Sequence, residues 1–165
     1  MNPASSPLSE LPAVGFLTDV SSEHRAFLAC FGKLLRPENG EVLIAEGDAQ
    51  ESLYVILSGT LHIVASADER PILLAAFGEG DSIGEINLFD PATASATAVV
   101  RTGGLIWTIS REELDSFLAA DPEAGISVMK GLLRQVARRI RSMNEKLATA
   151  EQRASIQNFW TSRQH

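Results

Sequence analysis

From residue 41 to residue 109 the chain repeatedly starts a short apolar run and then breaks it. The runs fall at 42–45, 53–57, 61–65, 72–77, 96–100 and 105–109. Turn signals separate them: Gly47-Asp48, Ser58-Gly59, Asp68-Glu69-Arg70, Gly78-Glu79-Gly80-Asp81 and Gly103-Gly104. Short strands punctuated at this spacing predict an antiparallel sandwich or barrel. No stretch of helical crossover length lies between them, which disfavours a parallel α/β sheet. Residues 84–89 interrupt the rhythm and read as one short helical turn.

Helical patterns flank this region. Ser21 precedes Ser22-Glu23-His24 as a cap, and Phe27, Leu28, Phe31, Leu34 and Leu35 form the apolar side of the helix it opens. Pro37 through Gly40 is expected to stop that helix. Ser110 followed by Glu113 matches a capping box, and Asp121-Pro122 opens the last element. There the apolar and small residues are Ile126, Met129, Leu133, Val136, Ile140, Met143, Leu147, Ala150 and Ala154. Their steps alternate three and four, the signature of a heptad seam. So narrow a stripe needs a partner helix, and a second copy of the chain is the simplest one. Close to 126–136, where Leu132 widens the stripe, the helix is also expected to lie on its own barrel.

Charge divides the chain in the same place. Residues 1–124 carry a net −13 and residues 125–165 a net +6. A basic tail is compatible with nucleic acid, but a solvated helix face that offsets the acidic barrels is the favoured reading. The single cysteine, Cys30, excludes a disulfide framework and multi-thiolate metal sites. The polar, proline-dotted start has no signal-peptide pattern, and no run is long enough to span a membrane. A cytoplasmic location follows as an expectation. The predicted organisation is a flexible leader over 1–15, a β-barrel with N-terminal helices over 16–121, a heptad helix over 122–158 and a tail over 159–165.

The ordered elements and several motifs resemble the cyclic-nucleotide-binding domain family, and more narrowly the sensor half of bacterial regulators of the catabolite-activator type. The resemblance covers about residues 16–150. It rests on Gly40-Glu41, Glu46-Gly47-Asp48, the run Leu53-Tyr54-Val55-Ile56-Leu57-Ser58-Gly59, Phe77-Gly78-Glu79-Gly80-Asp81, Ile83-Gly84-Glu85-Ile86-Asn87-Leu88-Phe89, and Gln135-Val136-Ala137-Arg138-Arg139-Ile140. It implies a mainly β fold with flanking helices: an antiparallel, jelly-roll-like β-roll (a double-stranded β-helix) followed by a long dimerisation helix. The implied ligand is a cyclic nucleotide, cyclic AMP or cyclic GMP, with no other cofactor.

The candidate ligand-binding residues are Gly84, Glu85, Ile86, Asn87, Ala94, Ser95, Ala96 and Asn144. Gly84 lets the backbone approach a ligand. Glu85 accepts from a ribose hydroxyl in the role the resemblance implies, or else caps its own helical turn. Ser95 is a donor to phosphate or an ordinary strand hydroxyl. Related cassettes carry an arginine that pairs with the phosphate, and Ala94 stands in that place here. Residues 87–97 contain no basic side chain, and Asp90 adds a negative charge. Losing such a charge-assisted contact costs about 2–5 kcal/mol. Arg101, the next cation, reads as a surface residue. At the base end Met143 and Asn144 occupy the places of two small hydroxyl residues. Asn144 offers both a donor and an acceptor to an adenine edge, whereas Met143 fits packing in the seam.

An enzyme is disfavoured. His24, His62 and His165 are scattered, no metal site or catalytic residue is expected, and no nucleophile elbow or phosphate loop appears. The dimer interface is expected at Ile126, Met129, Leu133, Val136, Ile140, Met143 and Leu147. No helix-turn-helix pattern follows it, so sequence-specific DNA binding is not expected. Three readings remain: a homodimeric sensor with a degenerate cassette, a ligand-free dimeric module that serves a partner protein, and between them a modified sensor for another ligand, such as a neutral or larger nucleotide. Phe159-Trp160 suits either a partner contact or packing back onto the fold.

Overall fold

The computed structural model of the chain describes residues 2–3, 8–67 and 70–161, with side chains over 8–66 and 70–152. Two compact units make up the chain, residues 1–131 and residues 132–165. In chain order the elements are β1 (Asn2–Pro3), a 3-10 turn (Gly15–Leu17), α1 (Ser22–Ala29), β2 (Lys33–Arg36), β3 (Val42–Ile44), β4 (Ala49–Gln50), β5 (Ser52–Ala67), β6 (Arg70–Phe77), β7 (Ser82–Ile83), α2 (Glu85–Phe89), β8 (Ala92–Thr93), β9 (Thr97–Ser110), α3 (Arg111–Ala120) and α4 (Pro122–Thr161).

The main sheet has the order β1-β2-β9-β5-β6, with β3 added to β9 and β7 added to β5; β4 and β8 form a separate pair. Every pairing is antiparallel. This is the antiparallel, mainly β architecture that the turn spacing predicts, in the jelly-roll-like form that the resemblance implies. Leu35, Ile56, Leu61, Ile83, Ala98, Val100 and Ile106 form its core. Each large side chain among them contributes about 1.5–3 kcal/mol of burial, set against the entropy of ordering the chain.

Two expectations are corrected by long-range pairing. Leu34 and Leu35, assigned to the first helix, lie in β2. The helix ends at Ala29, and Lys33, Leu34 and Leu35 pair with Thr108, Trp107 and Ile106. Both leucines are buried, so their apolar character satisfies two faces of a covered strand. The second correction concerns Ser58-Gly59 and Gly103-Gly104, which do not end strands. They lie inside β5 and β9, at register shifts between Ile56 and Ser58 and between Ser58 and Thr60. A Cβ on Gly104 would stand 2.2 Å from the Ser58 carbonyl oxygen. The glycines permit a close bulge that bends two long paired strands instead of reversing them.

The capped helices match their local signals. The Ser21 hydroxyl accepts from the His24 N–H at 3.2 Å. At α3 the Ser110 hydroxyl accepts from the Glu113 N–H at 3.3 Å, while the Glu113 carboxylate accepts from the Ser110 N–H at 2.7 Å. Phe27, Phe31 and Phe117 stack α1 on α3, with ring centroids 5.1–5.7 Å apart. Cys30 is the exposed C-cap of α1. Within the segment read as a flexible leader, Leu11 is fully buried. Arg25 donates to its carbonyl at 2.9 Å and also pairs with Glu10, so residues 10 and 11 are tied to α1.

At the start of α4 the Asp121 carboxylate accepts from the N–H groups of Glu123 and Ala124 at 3.1 and 3.0 Å. In the first unit Ala124 and Val128 are buried while Ile126 is exposed. In the second unit Leu132 is buried, whereas Leu133, Ile140, Met143 and Leu147 are each more than half exposed. Met129 and Val136 are intermediate. Phe159 and Trp160 fall within the span of α4; their side chains, and that of the seam residue Ala154, lie outside the described residues.

Candidate ligand site

The 84–96 cassette is built where β7 leaves the sheet. Tyr54 and Val55 of β5 pair with Ile83 and Ser82, which fixes the exit point of the chain. Gly84 then takes φ 87° and ψ −2°, a left-handed conformation at the N-cap of α2. Two physical constraints select glycine here. A side chain would be strained at that φ, and a Cβ would lie 2.1 Å from the Ser52 carbonyl oxygen and 2.6 Å from Gln50 Nε2.

α2 is a single closed turn. The Leu88 N–H donates to the Gly84 carbonyl at 3.1 Å and the Asp90 N–H to the Ile86 carbonyl at 2.8 Å. Glu85 is buried at 4% exposure, and Ile86, next to it, is exposed. Asn87 is half-buried, and its side-chain amide donates to the carbonyls of Ala92 and Thr93 at 2.7 and 3.3 Å. Asn87 therefore shapes the loop from within.

β8 is held by β4, with Ala49 opposite Thr93 and Gln50 opposite Ala92. Ala94 continues the bridge: its N–H donates to the Asp48 carbonyl and its carbonyl accepts from the Gly47 N–H, both at 2.8 Å. Ala94 is buried, and both of its backbone groups are engaged in this bridge. Ser95 is exposed and Ala96 half-buried. Arg101 is exposed in β9, as its sequence context suggests. The first unit thus brings Gly84, Glu85, Ile86, Asn87, Ala94, Ser95 and Ala96 into one cassette. Asn144 belongs to the second unit, where it is exposed on α4.

Two residues at the cassette carry no motif in the sequence. Arg111, the first residue of α3, donates from Nη2 to the Asn87 carbonyl at 3.0 Å. Its own N–H donates to the Glu51 carbonyl at 2.9 Å. It joins the end of the cassette turn to the start of α3. Gln50 is buried, donates to the Ser52 carbonyl, and lies against Gly84. A cavity of about 140 Å³ beside it is lined by residues 43–45, 48–52 and 54. Tyr54 lines that cavity, and burial pushes its phenol above the ordinary value. Among the described residues, no group of three or more His, Cys, Asp or Glu is placed to hold a metal ion, and no helix is long and apolar enough to cross a membrane.

The β-roll carries a left-handed glycine, a buried glutamate and a short helical turn at one junction. Residues 35–121 match the family model of the cyclic nucleotide-binding domain, and the chain belongs to that family. It is 35% identical over 125 residues to the CRP-like cAMP-activated global transcriptional regulator of Mycobacterium tuberculosis, covering 73% of this chain and 54% of that one. The chain thus spans about half the length of the curated regulator it matches. Among solved structures it is similar to a cyclic nucleotide-binding domain from Methylobacillus flagellatus, with 26% identity, a TM-score of 0.72 and coverage of 76% of this chain and 71% of that chain. It is also similar to the regulatory subunit of a cAMP-independent protein kinase A from Trypanosoma cruzi bound to guanosine, with 27% identity, a TM-score of 0.60 and coverage of 73% and 41%.

Proposed function

We propose that this chain is a non-enzymatic, homodimeric sensor module that takes a nucleotide-class ligand at the 84–96 cassette without an arginine. The observation that carries this reading is the junction at Gly84 and Glu85. The left-handed glycine brings backbone close, the glutamate is held buried beside it, and the turn that follows is tied by Arg111 to α3. A carboxylate held in place is suited to accept from a ribose hydroxyl. Ligand at the turn biases α2, and through Arg111 and the Asp121 cap it biases the start of α4. The response depends on the ligand's differential affinity for two arrangements of these elements.

The exposed seam at Leu133, Ile140, Met143 and Leu147 supports pairing with a second copy. The M. tuberculosis relative is described as cAMP-activated and the T. cruzi relative as bound to guanosine. Both support a ligand of the nucleoside or nucleotide class. The ligand-free platform is favoured by a different observation: Ile72, Leu73 and Leu74 are exposed side by side on β6, an end strand of the main sheet, and would suit a partner protein.

Calorimetric titration of the whole chain with cyclic AMP, cyclic GMP, a cyclic dinucleotide and purine nucleosides separates the two readings. Saturable heat with any of them is the result expected of a sensor. No heat with any of them at millimolar concentration overturns the sensor and leaves the platform.

A further inference from the structure

We propose that β6 is a strand-addition site whose occupant is an extended apolar segment of another protein that carries basic residues; this goes beyond the sensor reading and does not depend on it. β6 stands at one end of the main sheet and pairs with β5 alone among the described strands. A strand in that position presents backbone donors and acceptors along its outer edge. Native edges are commonly blunted by charged side chains, and none occurs in residues 71–78.

The side chains decide what kind of element can cover this edge. Ile72 lies opposite Ala65 and Leu73 opposite Val64, so the two project from opposite faces of the β5–β6 ribbon. They are 49% and 55% exposed. A helix laid on one face would leave the other in water. A strand added at the edge stands beside both side chains at once and also takes up the backbone groups. A register shift at Leu74 interrupts the ladder with β5. Bulges of this kind terminate pairing, so the added strand runs along Arg70–Leu73. Pro71 has no N–H to give, and the other amides of that stretch supply the donors.

Charge selects the occupant. Asp68-Glu69 immediately precede the stretch, Glu79 and Asp81 follow β6, and Arg70 is the one cation between residues 68 and 81. Pairing β6 with the β6 of a second copy brings two such acidic segments together. A segment with lysine or arginine beside its apolar residues meets the opposite sign.

The test uses a fluorescent nine-residue peptide of alternating valine and threonine with two lysines at each end, followed by anisotropy with the full chain. Saturable binding is expected, at least about tenfold tighter than that of the same peptide ended in glutamates, and about threefold or more weaker when salt rises from about 50 to about 500 mM. Equal affinity for the two peptides, or no saturation at millimolar concentration, overturns the proposal. A peptide with every interior amide N-methylated is expected to lose binding; retained affinity overturns strand addition. Ile72→Thr combined with Leu73→Thr keeps strand propensity and is expected to weaken binding about tenfold. Unchanged affinity in that folded variant overturns the location. If the variant fails to fold, hydrogen exchange on the unaltered chain answers the same question: the peptide is expected to slow exchange at residues 70–73, and unaltered exchange there overturns the proposal. A fall in molecular mass by light scattering on making the double variant assigns β6 to a second copy and overturns the proposal as well.

Discussion

Gly84 and Gly47 share a φ of +87° but not a neighbourhood. An added Cβ at Gly47 meets nothing within 4 Å, whereas at Gly84 it would stand 2.1 Å from the Ser52 carbonyl oxygen. Alanine at either site incurs the left-handed backbone cost of about 1–2 kcal/mol. Reduced freedom of the unfolded chain offsets about 0.4–1 kcal/mol of that. Gly47→Ala is therefore expected to destabilise by about 1 kcal/mol. Gly84→Ala must also move β5 or the cassette, and overpacking of this kind costs about 1–3 kcal/mol, for a total of about 2–4 kcal/mol. For a chain of this length each kcal/mol lowers the melting temperature by about 2–4 °C. Thermal unfolding followed by near-ultraviolet circular dichroism should show a fall of about 2–4 °C for Gly47→Ala and about 4–16 °C for Gly84→Ala. Equal losses for the two variants would refute the claim that close backbone contact, beyond the φ angle, fixes glycine at the cassette.

Other outcomes follow from the same geometry. Because burial raises the Tyr54 phenol, the unfolded chain releases that proton first; the stabilisation is complete below a pH of about 10 and is lost as pH rises through the folded value. Tyr54→Phe should flatten the alkaline decline of the melting temperature, and parallel curves for the two proteins would contradict the assignment. Asp121→Ala removes an acceptor for two N–H groups at the start of α4 and should cost about 0.5–2 kcal/mol. Asp121→Asn should recover most of this loss in the same melting assay. Replacing Ile140 and Leu147 together with Glu is expected to turn a dimer into a monomer by light scattering at high micromolar concentration. If the parent chain is already a monomer there, the seam has another purpose.

Local chemistry was legible in the sequence and distant pairing was not. Ser21, Ser110 with Glu113, and Asp121 announce helix starts because a cap is made within a few residues. Leu34 and Leu35 continue a helical pattern, yet their fate is set by Trp107 and Ile106, some seventy positions away. Ser58-Gly59 has the composition of a turn, and only its juxtaposition with Gly104 makes it a bulge. At the cassette, Gly84 and Glu85 are readable because they are adjacent and form a motif. Gln50 and Arg111 reach the same place through the β4 and β8 pairing and the first turn of α3, so no spacing rule exposes them.

The single cysteine, at the exposed C-cap of α1, makes this chain unusually easy to label. A thiol-reactive dye or spin label attaches once per protomer, with no competing thiol to remove. The position lies outside the paired strands and outside residues 84–96, so the probe leaves the candidate ligand site chemically intact. Cys30 adjoins Phe31, whose ring is 5.5 Å from that of Phe117 on α3. A fluorophore there reports changes in the α1 and α3 packing as ligand is added. In a paired assembly two spin labels yield one distance between protomers, read without altering a residue.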